Sequence, residues 1–214
     1  MSDLIAPFVA LPGYGLAALV VLLLYGVQSE IRFGKQARTM RAGGADRQST
    51  LAVSVGAAVS VLGFALGIKA NSPTPPSYLP LWFRGAVLPG LPAIAWLGVV
   101  LGVCGILLRL WAVLQLRERY SRTLLVQDEH AIERGGPYRL MRHPGYLGSL
   151  LVLNGIALAS GNWITLLASL IATIAAYRYR IAVEDEMLVA ALGEPYATYR
   201  REVPALIPGA RKRP

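Results

Sequence analysis

Of 214 residues, 55% are hydrophobic and only 15% charged, with a mean hydropathy of +0.49, so the chain is too apolar for an ordinary water-soluble domain and reads as a membrane protein. Its net charge of +9 does not call for nucleic acid, because the basic residues fall in three segments without an aromatic-interleaved stripe and suit anionic lipid headgroups. The single cysteine, Cys104, excludes an intrachain disulfide and a multi-cysteine metal site, and no metal is expected.

Crossing the hydrocarbon takes roughly 20 apolar residues per helix, because only a helix satisfies all its backbone groups internally and it rises about 1.5 Å per residue. Phe8 to Val27, Leu51 to Ile68 and Val87 to Leu108 qualify, each free of charge, and the third run ends at Arg109. Tyr146 to Ala159 and Trp163 to Tyr177 are shorter and separated only by Ser160-Gly161-Asn162, the pattern of a tight helical hairpin. The expected fold is therefore all-α, with about five membrane spans. The first span lacks a basic start and a small-residue cleavage site and is expected to be retained.

Loops rich in Lys and Arg stay on the cytoplasmic side. Arg32 to Arg47, Arg117 to Arg142 and Arg200 to Arg213 carry that excess, whereas Pro73 to Arg84 and the hairpin tip carry little or none. The N-terminus is thus expected outside and the C-terminus in the cytoplasm. One integral membrane domain is expected, with packing helices over residues 1–86 and a core over 87–214 that holds the polar residues. Gly63 and Gly67, like Gly98 and Gly102, have the small-xxx-small spacing that lets helices approach closely in lipid.

Chemistry is expected where long polar sequence re-enters the membrane. The run Gly136-Pro137-Tyr138-Arg139-Leu140-Met141-Arg142-His143-Pro144-Gly145-Tyr146 ends a polar connector that begins at Arg117. Pro144 suits the first turn of a helix, which puts the His143 imidazole at that helix's mouth. Tyr177, Arg180 and Glu184 share one face if the fifth helix continues; the simpler account is a surface pair of Arg180 and Glu184, with Asp185 and Glu186 solvated. Gly193 is placed to end that helix. Tyr196, Tyr199 and the stretch Val203 to Pro208 then form a tail that either anchors in the interface or closes a pocket.

The run His130-Ala131-Ile132-Glu133-Arg134-Gly135-Gly136-Pro137-Tyr138, then Arg142-His143-Pro144-Gly145-Tyr146-Leu147-Gly148, then Arg180 with Glu184, Leu188, Gly193 and Tyr196, resembles the isoprenylcysteine carboxyl methyltransferase family, a relative of membrane phospholipid methyltransferases. The likeness covers roughly Arg109 to Pro208. It implies a multi-span enzyme that uses S-adenosylmethionine, held in a pocket between the connector, the last helices and the tail. Carried over by position, the cofactor contacts are His130, Ala131, Ile132, Glu133, Tyr138, His143, Pro144, Gly145, Tyr146 and Glu184, with Gln127 upstream. Arg180 matches the position that meets the substrate's polar end, as a catalytic and substrate-binding residue. The chain departs from the family at Ile132-Glu133, where Leu-Val is frequent, at Gly145, where Ser is frequent, and at Leu192, where Phe is frequent.

The implied reaction is methyl transfer to a lipophilic acceptor at the cytoplasmic membrane face. A carboxylate acceptor needs no base, being ionised at neutral pH, and Arg180 would orient it. Three other readings stand beside it: a phospholipid amine N-methyltransferase, a sterol-reductase-like enzyme using NADPH, and a non-catalytic lipid-binding protein. A compact, alanine-rich chain is expected from a prokaryotic cell membrane, where the acceptor remains open, as does oligomeric state.

Overall fold

The computed structural model describes residues 13–29, 47–116 and 132–207. Within them lie seven α-helices, one 3-10 turn and no strand beyond an isolated Val87–Asn162 bridge. The helices are α1 (Gly13–Ser29), α2 (Ser49–Ala70), α3 (Leu81–Arg84), α4 (Ala93–Leu116), α5 (Pro144–Ala159), α6 (Trp163–Leu192) and α7 (Glu194–Glu202), with the 3-10 turn at Gly136–Arg139. This is the all-helical fold expected. Three helices, α2, α4 and α6, are long and apolar enough to cross a membrane, while α1 and α5 are shorter apolar helices. The expected first span begins at Phe8, outside the described residues.

One boundary differs from the sequence expectation in an informative way. Helix α6 does not stop near Tyr177 but runs 30 residues to Leu192, because no Gly or Pro interrupts it. At 1.5 Å per residue it is about 45 Å long, roughly 15 Å more than the hydrocarbon, so its charged last third lies beyond the apolar layer. Gly193 ends it as expected, with φ +64° and ψ −143°, a conformation that costs a side-chain-bearing residue and turns the chain sharply into α7.

Leu62, Leu97, Val100, Leu107 and Ile171 are exposed on the outer faces of the long helices, the arrangement lipid requires. Lipid gives no hydrophobic drive between helices, so the interior is held by close approach and hydrogen bonds. Helix α4 packs chiefly on α5, and α2 on α6. In the α4–α5 seam, a Cβ built on Gly98 or Gly105 would sit 2.5 Å from the carbonyl oxygen of Gly155 or Gly148, so the backbones touch where side chains are missing. Between α2, α5 and α6, Ser60 meets Ser169 at 2.7 Å, and Asn154 links Ser169 to Thr173 at 3.0 Å each. An apolar cluster of Ala18, Val21, Phe64, Ala95, Val99, Val152 and Ile156 fills the remaining space.

The hairpin tip between α5 and α6 is sealed rather than exposed. Asn162 is fully buried; its side-chain oxygen accepts from the amides of Ile164 (3.1 Å) and Thr165 (3.2 Å), and its amide donates to the Phe83 carbonyl at 2.9 Å. The Trp163 and Leu88 amides pair with the Ala86 and Gly161 carbonyls. The polar groups of the turn are thus satisfied locally, and α5 and α6 are fixed as a pair whose other ends form the site.

Candidate functional site

Three segments far apart in sequence meet at that end: the motif ahead of α5, the distal part of α6, and the tail after α7. Pro144 occupies the first turn of α5 and His143 its N-cap position, as the sequence predicts. The residues before a helix start have amides to satisfy, and the tail satisfies them. Arg142 N donates to the Pro204 carbonyl at 2.9 Å and His143 N to the Ala205 carbonyl at 3.0 Å. The Tyr199 hydroxyl donates to the Tyr138 carbonyl at 2.7 Å, and Arg134 stacks over the Tyr199 ring and pairs with Glu202. The tail therefore closes over the motif, and the interfacial alternative for Tyr196 and Tyr199 falls, since both are buried.

Asp185 is the centre of this junction. It is 3% exposed, and its carboxylate accepts from Arg142 Nη2 (2.7 Å) and the Tyr196 hydroxyl (2.6 Å) and lies 3.2 Å from His143 Nε2. Arg142 also donates to the Arg200 and Val203 carbonyls, so one guanidinium joins α5's entrance, α6 and the tail. The simpler account, in which Asp185 is solvated, does not hold for this residue. Glu186, one residue on, does face solvent and pairs with Arg47 at 2.7 Å. The physical reason is rotation: about 100° per residue separates Glu184, Asp185 and Glu186 around α6, so three consecutive acids face three environments.

Glu184 faces the cavity. Its Oε2 lies 3.4 Å from His143 Nδ1, a charge contact without hydrogen-bond alignment, and this buried oxygen accepts no hydrogen bond among the described residues. The His143 ring thus stands between two carboxylates and stacks on Tyr146 with centroids 5.3 Å apart and planes within 4°. Burial works against its charge, but the Asp185 hydrogen bond and the negative charges of Asp185 and Glu184 outweigh burial and hold the His143 pKa up at about 9. Burial, reinforced by Asp185, also pushes the Tyr196 phenol up, so it remains a donor.

The cavity has a volume of about 240 Å³, a little under the roughly 300 Å³ at which ligand pockets commonly begin. Of the residues predicted from sequence, Tyr138, His143, Gly145, Tyr146, Arg180 and Glu184 line it. Pro144 is buried behind them as part of the helix start. Glu133 instead accepts from Gln115 Nε2 (3.2 Å) and the Gly135 amide (2.8 Å), fixing the chain beside the end of α4, with Ile132 next to it and half-buried. Gln127, His130 and Ala131 lie outside the described residues. Arg180 is buried and donates to Tyr146 (3.0 Å), Ser49 (2.9 Å) and Thr50 (2.7 Å), three hydroxyls that fix the guanidinium in place.

Sequence reasoning missed Asp185 as a partner, and it missed α1 and α2 as cavity walls: Tyr25, Thr50, Val53 and Ser54 contribute there. It also passed over Arg109, whereas Tyr177, which the spacing places on one helix face with Arg180 and Glu184, lines the cavity with them. Arg109 had a signal, a lone arginine interrupting an apolar run; the α1 and α2 residues had none, since hydroxyls at a helix start read as caps.

Residues 96–190 match the model of the isoprenylcysteine carboxyl methyltransferase family. The chain is 29% identical over 103 residues to a protein-S-isoprenylcysteine O-methyltransferase of Schizosaccharomyces pombe, covering 47% of this chain and 44% of that protein. It is 32% identical over 127 residues to the cobalt-zinc-cadmium resistance protein CzcN of Cupriavidus metallidurans, covering 59% and 53%. The chain therefore spans about half the length of these relatives. In fold it is similar to the eukaryotic intramembrane Ras methyltransferase ICMT, with a TM-score of 0.57 at 19% identity over 91% of this chain and 63% of that one. The apolar helices and this neighbour make the chain an integral membrane protein. Its likeness to the isoprenylcysteine carboxyl methyltransferase family holds in sequence over residues 96–190 and in fold over most of its length.

Proposed function

We propose that this chain is an S-adenosylmethionine-dependent methyltransferase that methylates a carboxylate on a lipophilic acceptor at the cytoplasmic membrane face. The observation that carries the reading is the buried Glu184 oxygen, which faces the cavity and accepts no hydrogen bond among the described residues. A buried carboxylate oxygen without a donor is costly, and the ammonium and ribose hydroxyls of S-adenosylmethionine are donors. The residues present therefore fit the group: Glu184 would accept from it, Tyr138, His143 and Tyr146 would wall it, and Gln127, His130 and Ala131 are the further contacts the family likeness suggests.

When bound, S-adenosylmethionine supplies an electrophilic methyl group on a sulfonium. The chain's task is then positioning and exclusion of water. Protonated His143 steadies Glu184 electrostatically from one side, while Asp185 holds the ring from the other. Arg180, fixed by its three hydroxyls, presents a positive charge to an acceptor carboxylate, which is ionised at neutral pH and needs no base. The basic residues Arg134, Arg139, Arg142, Arg200 and Arg201 surround this end of the molecule, which supports a cytoplasmic position. In the same reading residues 1–86 pack and wall the cavity, and 87–214 supply the motifs.

The test is calorimetric titration of the detergent-purified chain with S-adenosylmethionine, S-adenosylhomocysteine and NADPH. The expected result is selective binding of the two adenosyl compounds, weakened by about 10- to 100-fold in Glu184→Gln with the melting temperature unchanged, the range set by one charge-assisted hydrogen bond. Binding of NADPH alone would move the chain to a reductase.

A further inference from the structure

Arg178 is a charge on the lipid-facing side of α6. Leu167, Ile171, Ile174 and Arg178 are all exposed and recur at helical spacing along one stripe, while Thr173, Ala176, Tyr177 and Arg180 are buried against the bundle. Leu170, Ile171, Ile174, Ala175 and Arg178 line a groove of about 460 Å³ on that outer side, apart from the cavity of the candidate site. Only the last of them is polar.

Depth makes this charge costly. Trp163, half-exposed at the start of α6, marks headgroup level at the hairpin tip. Arg178 follows 15 residues later, about 22 Å along the axis and still inside a hydrocarbon layer of roughly 30 Å. Glu186, eight residues further, already pairs with exposed Arg47. A helical side chain leans toward the N-terminus of its helix, which here is toward the bilayer centre, so the lean opposes any extension of the guanidinium to the headgroups.

Among the described residues Arg178 makes no hydrogen bond or ion pair. The positions three and four residues away on either side are Ile174, Ala175, Ile181 and Ala182, so no ion pair can form along the helix, and Glu186 is engaged by Arg47. Anchoring alone does not call for a charge, since the neighbouring Tyr179 already fixes this turn through its hydroxyl, which donates to the Arg47 carbonyl at 2.7 Å. A guanidinium at this depth adds a fork for phosphate oxygens, and the groove beside it adds a surface for an acyl chain. A zwitterionic headgroup would bring an ammonium to an end of the molecule that already carries Arg134, Arg139, Arg142, Arg200 and Arg201, which favours a headgroup of net negative charge.

We propose that α6 binds one anionic phospholipid from the leaflet on the side of the candidate site, with its phosphate on Arg178 and an acyl chain in the groove along Ile171, Ile174 and Ala175. This lipid site depends on the chain being a membrane protein and not on the methyltransferase reading.

The full chain, purified in nonionic detergent, is titrated with dioleoylphosphatidylglycerol or dioleoylphosphatidylcholine, and bound lipid is counted by native mass spectrometry. Wild type is expected to hold one phosphatidylglycerol with about tenfold or greater preference over phosphatidylcholine, and Arg178→Gln to lower that preference at least fivefold. Arg139→Gln removes an exposed charge at the same end but outside the groove, and is expected to leave the preference within about twofold of wild type. Ala175→Phe fills the groove with the charge kept, and is expected to weaken phosphatidylglycerol binding about fivefold. Equal losses in Arg178→Gln and Arg139→Gln would reduce the effect to diffuse attraction and overturn the site, as would a wild type without preference. A lipid-free dimer that Ile171→Trp abolishes would give the groove to a second copy of the chain, which overturns the proposal too. Unchanged phosphatidylglycerol affinity in Ala175→Phe has the same force, and decides the matter if Arg178→Gln fails to fold.

Discussion

The α4–α5 seam and the junction around Asp185 hold helices together by opposite means. In the seam, Gly98, Gly105, Gly148 and Gly155 contribute nothing but backbone, and tightness comes from what is absent. At the junction, Arg142, His143 and Tyr196 converge on one carboxylate, and tightness comes from charge brought out of water. The difference follows from where each lies. Deep in lipid a packed backbone contact is the inexpensive solution, whereas at the membrane edge ionised groups are tolerated and can also do chemistry.

Substitutions should separate the two modes. Asp185→Ala removes the shared acceptor and leaves Arg142 with a buried uncompensated charge; the expected loss is about 3–5 kcal/mol, with weaker S-adenosylhomocysteine binding, read by thermal unfolding and calorimetry. The same junction should respond to pH. His143 has its folded pKa raised to about 9 from an ordinary 6.5, so its contribution to stability is complete below about pH 6.5 and is lost as pH rises through 9. Melting temperature in buffers from pH 6 to 10 should fall accordingly, and His143→Gln should flatten the decline; an equal slope in the variant would remove His143 from the account.

The seam should be insensitive to pH and sensitive to volume. Gly105→Ala places a methyl group 2.5 Å from the Gly148 carbonyl oxygen, and the expected cost is about 1–3 kcal/mol by denaturant unfolding in detergent at any pH. The smallest effect is expected at Ser60→Ala, where one hydroxyl contact between α2 and α6 is lost, on the order of 0.6 kcal/mol. A larger loss there than at Gly105 would reverse the ranking of packing over hydrogen bonding within the membrane.

What the sequence made legible follows the same division. Local rules reached the helix starts and stops: Pro144 opening α5 with His143 at its cap, Gly193 closing α6, and glycines spaced for close approach. The run of α6 past Tyr177 was legible in principle, since no breaker intervenes. Asp185 was not, because Glu184, Asp185 and Glu186 look alike in sequence and only the packing of α5 and the tail decides which faces inward. The pairing of Arg142 and His143 with Pro204 and Ala205 was not legible either, as it is made through backbone amides and carbonyls, which every residue has. The contacts of the Glu133 carboxylate with Gln115 and the Gly135 amide were not legible either, since a position matched by motif does not announce a partner on another helix.

That backbone pairing has a consequence for how the protein is made. The amides of Arg142 and His143 find their acceptors about 60 residues further along the chain. At synthesis rates of about 5–20 residues per second, roughly 3 to 12 s pass between emergence of the motif and emergence of its strap. The helical hairpin, which ends at Leu192, is complete only about a dozen residues before that strap, and until the strap arrives the entrance to α5 stays open. The helices that frame the site are thus synthesised before the segment that closes it.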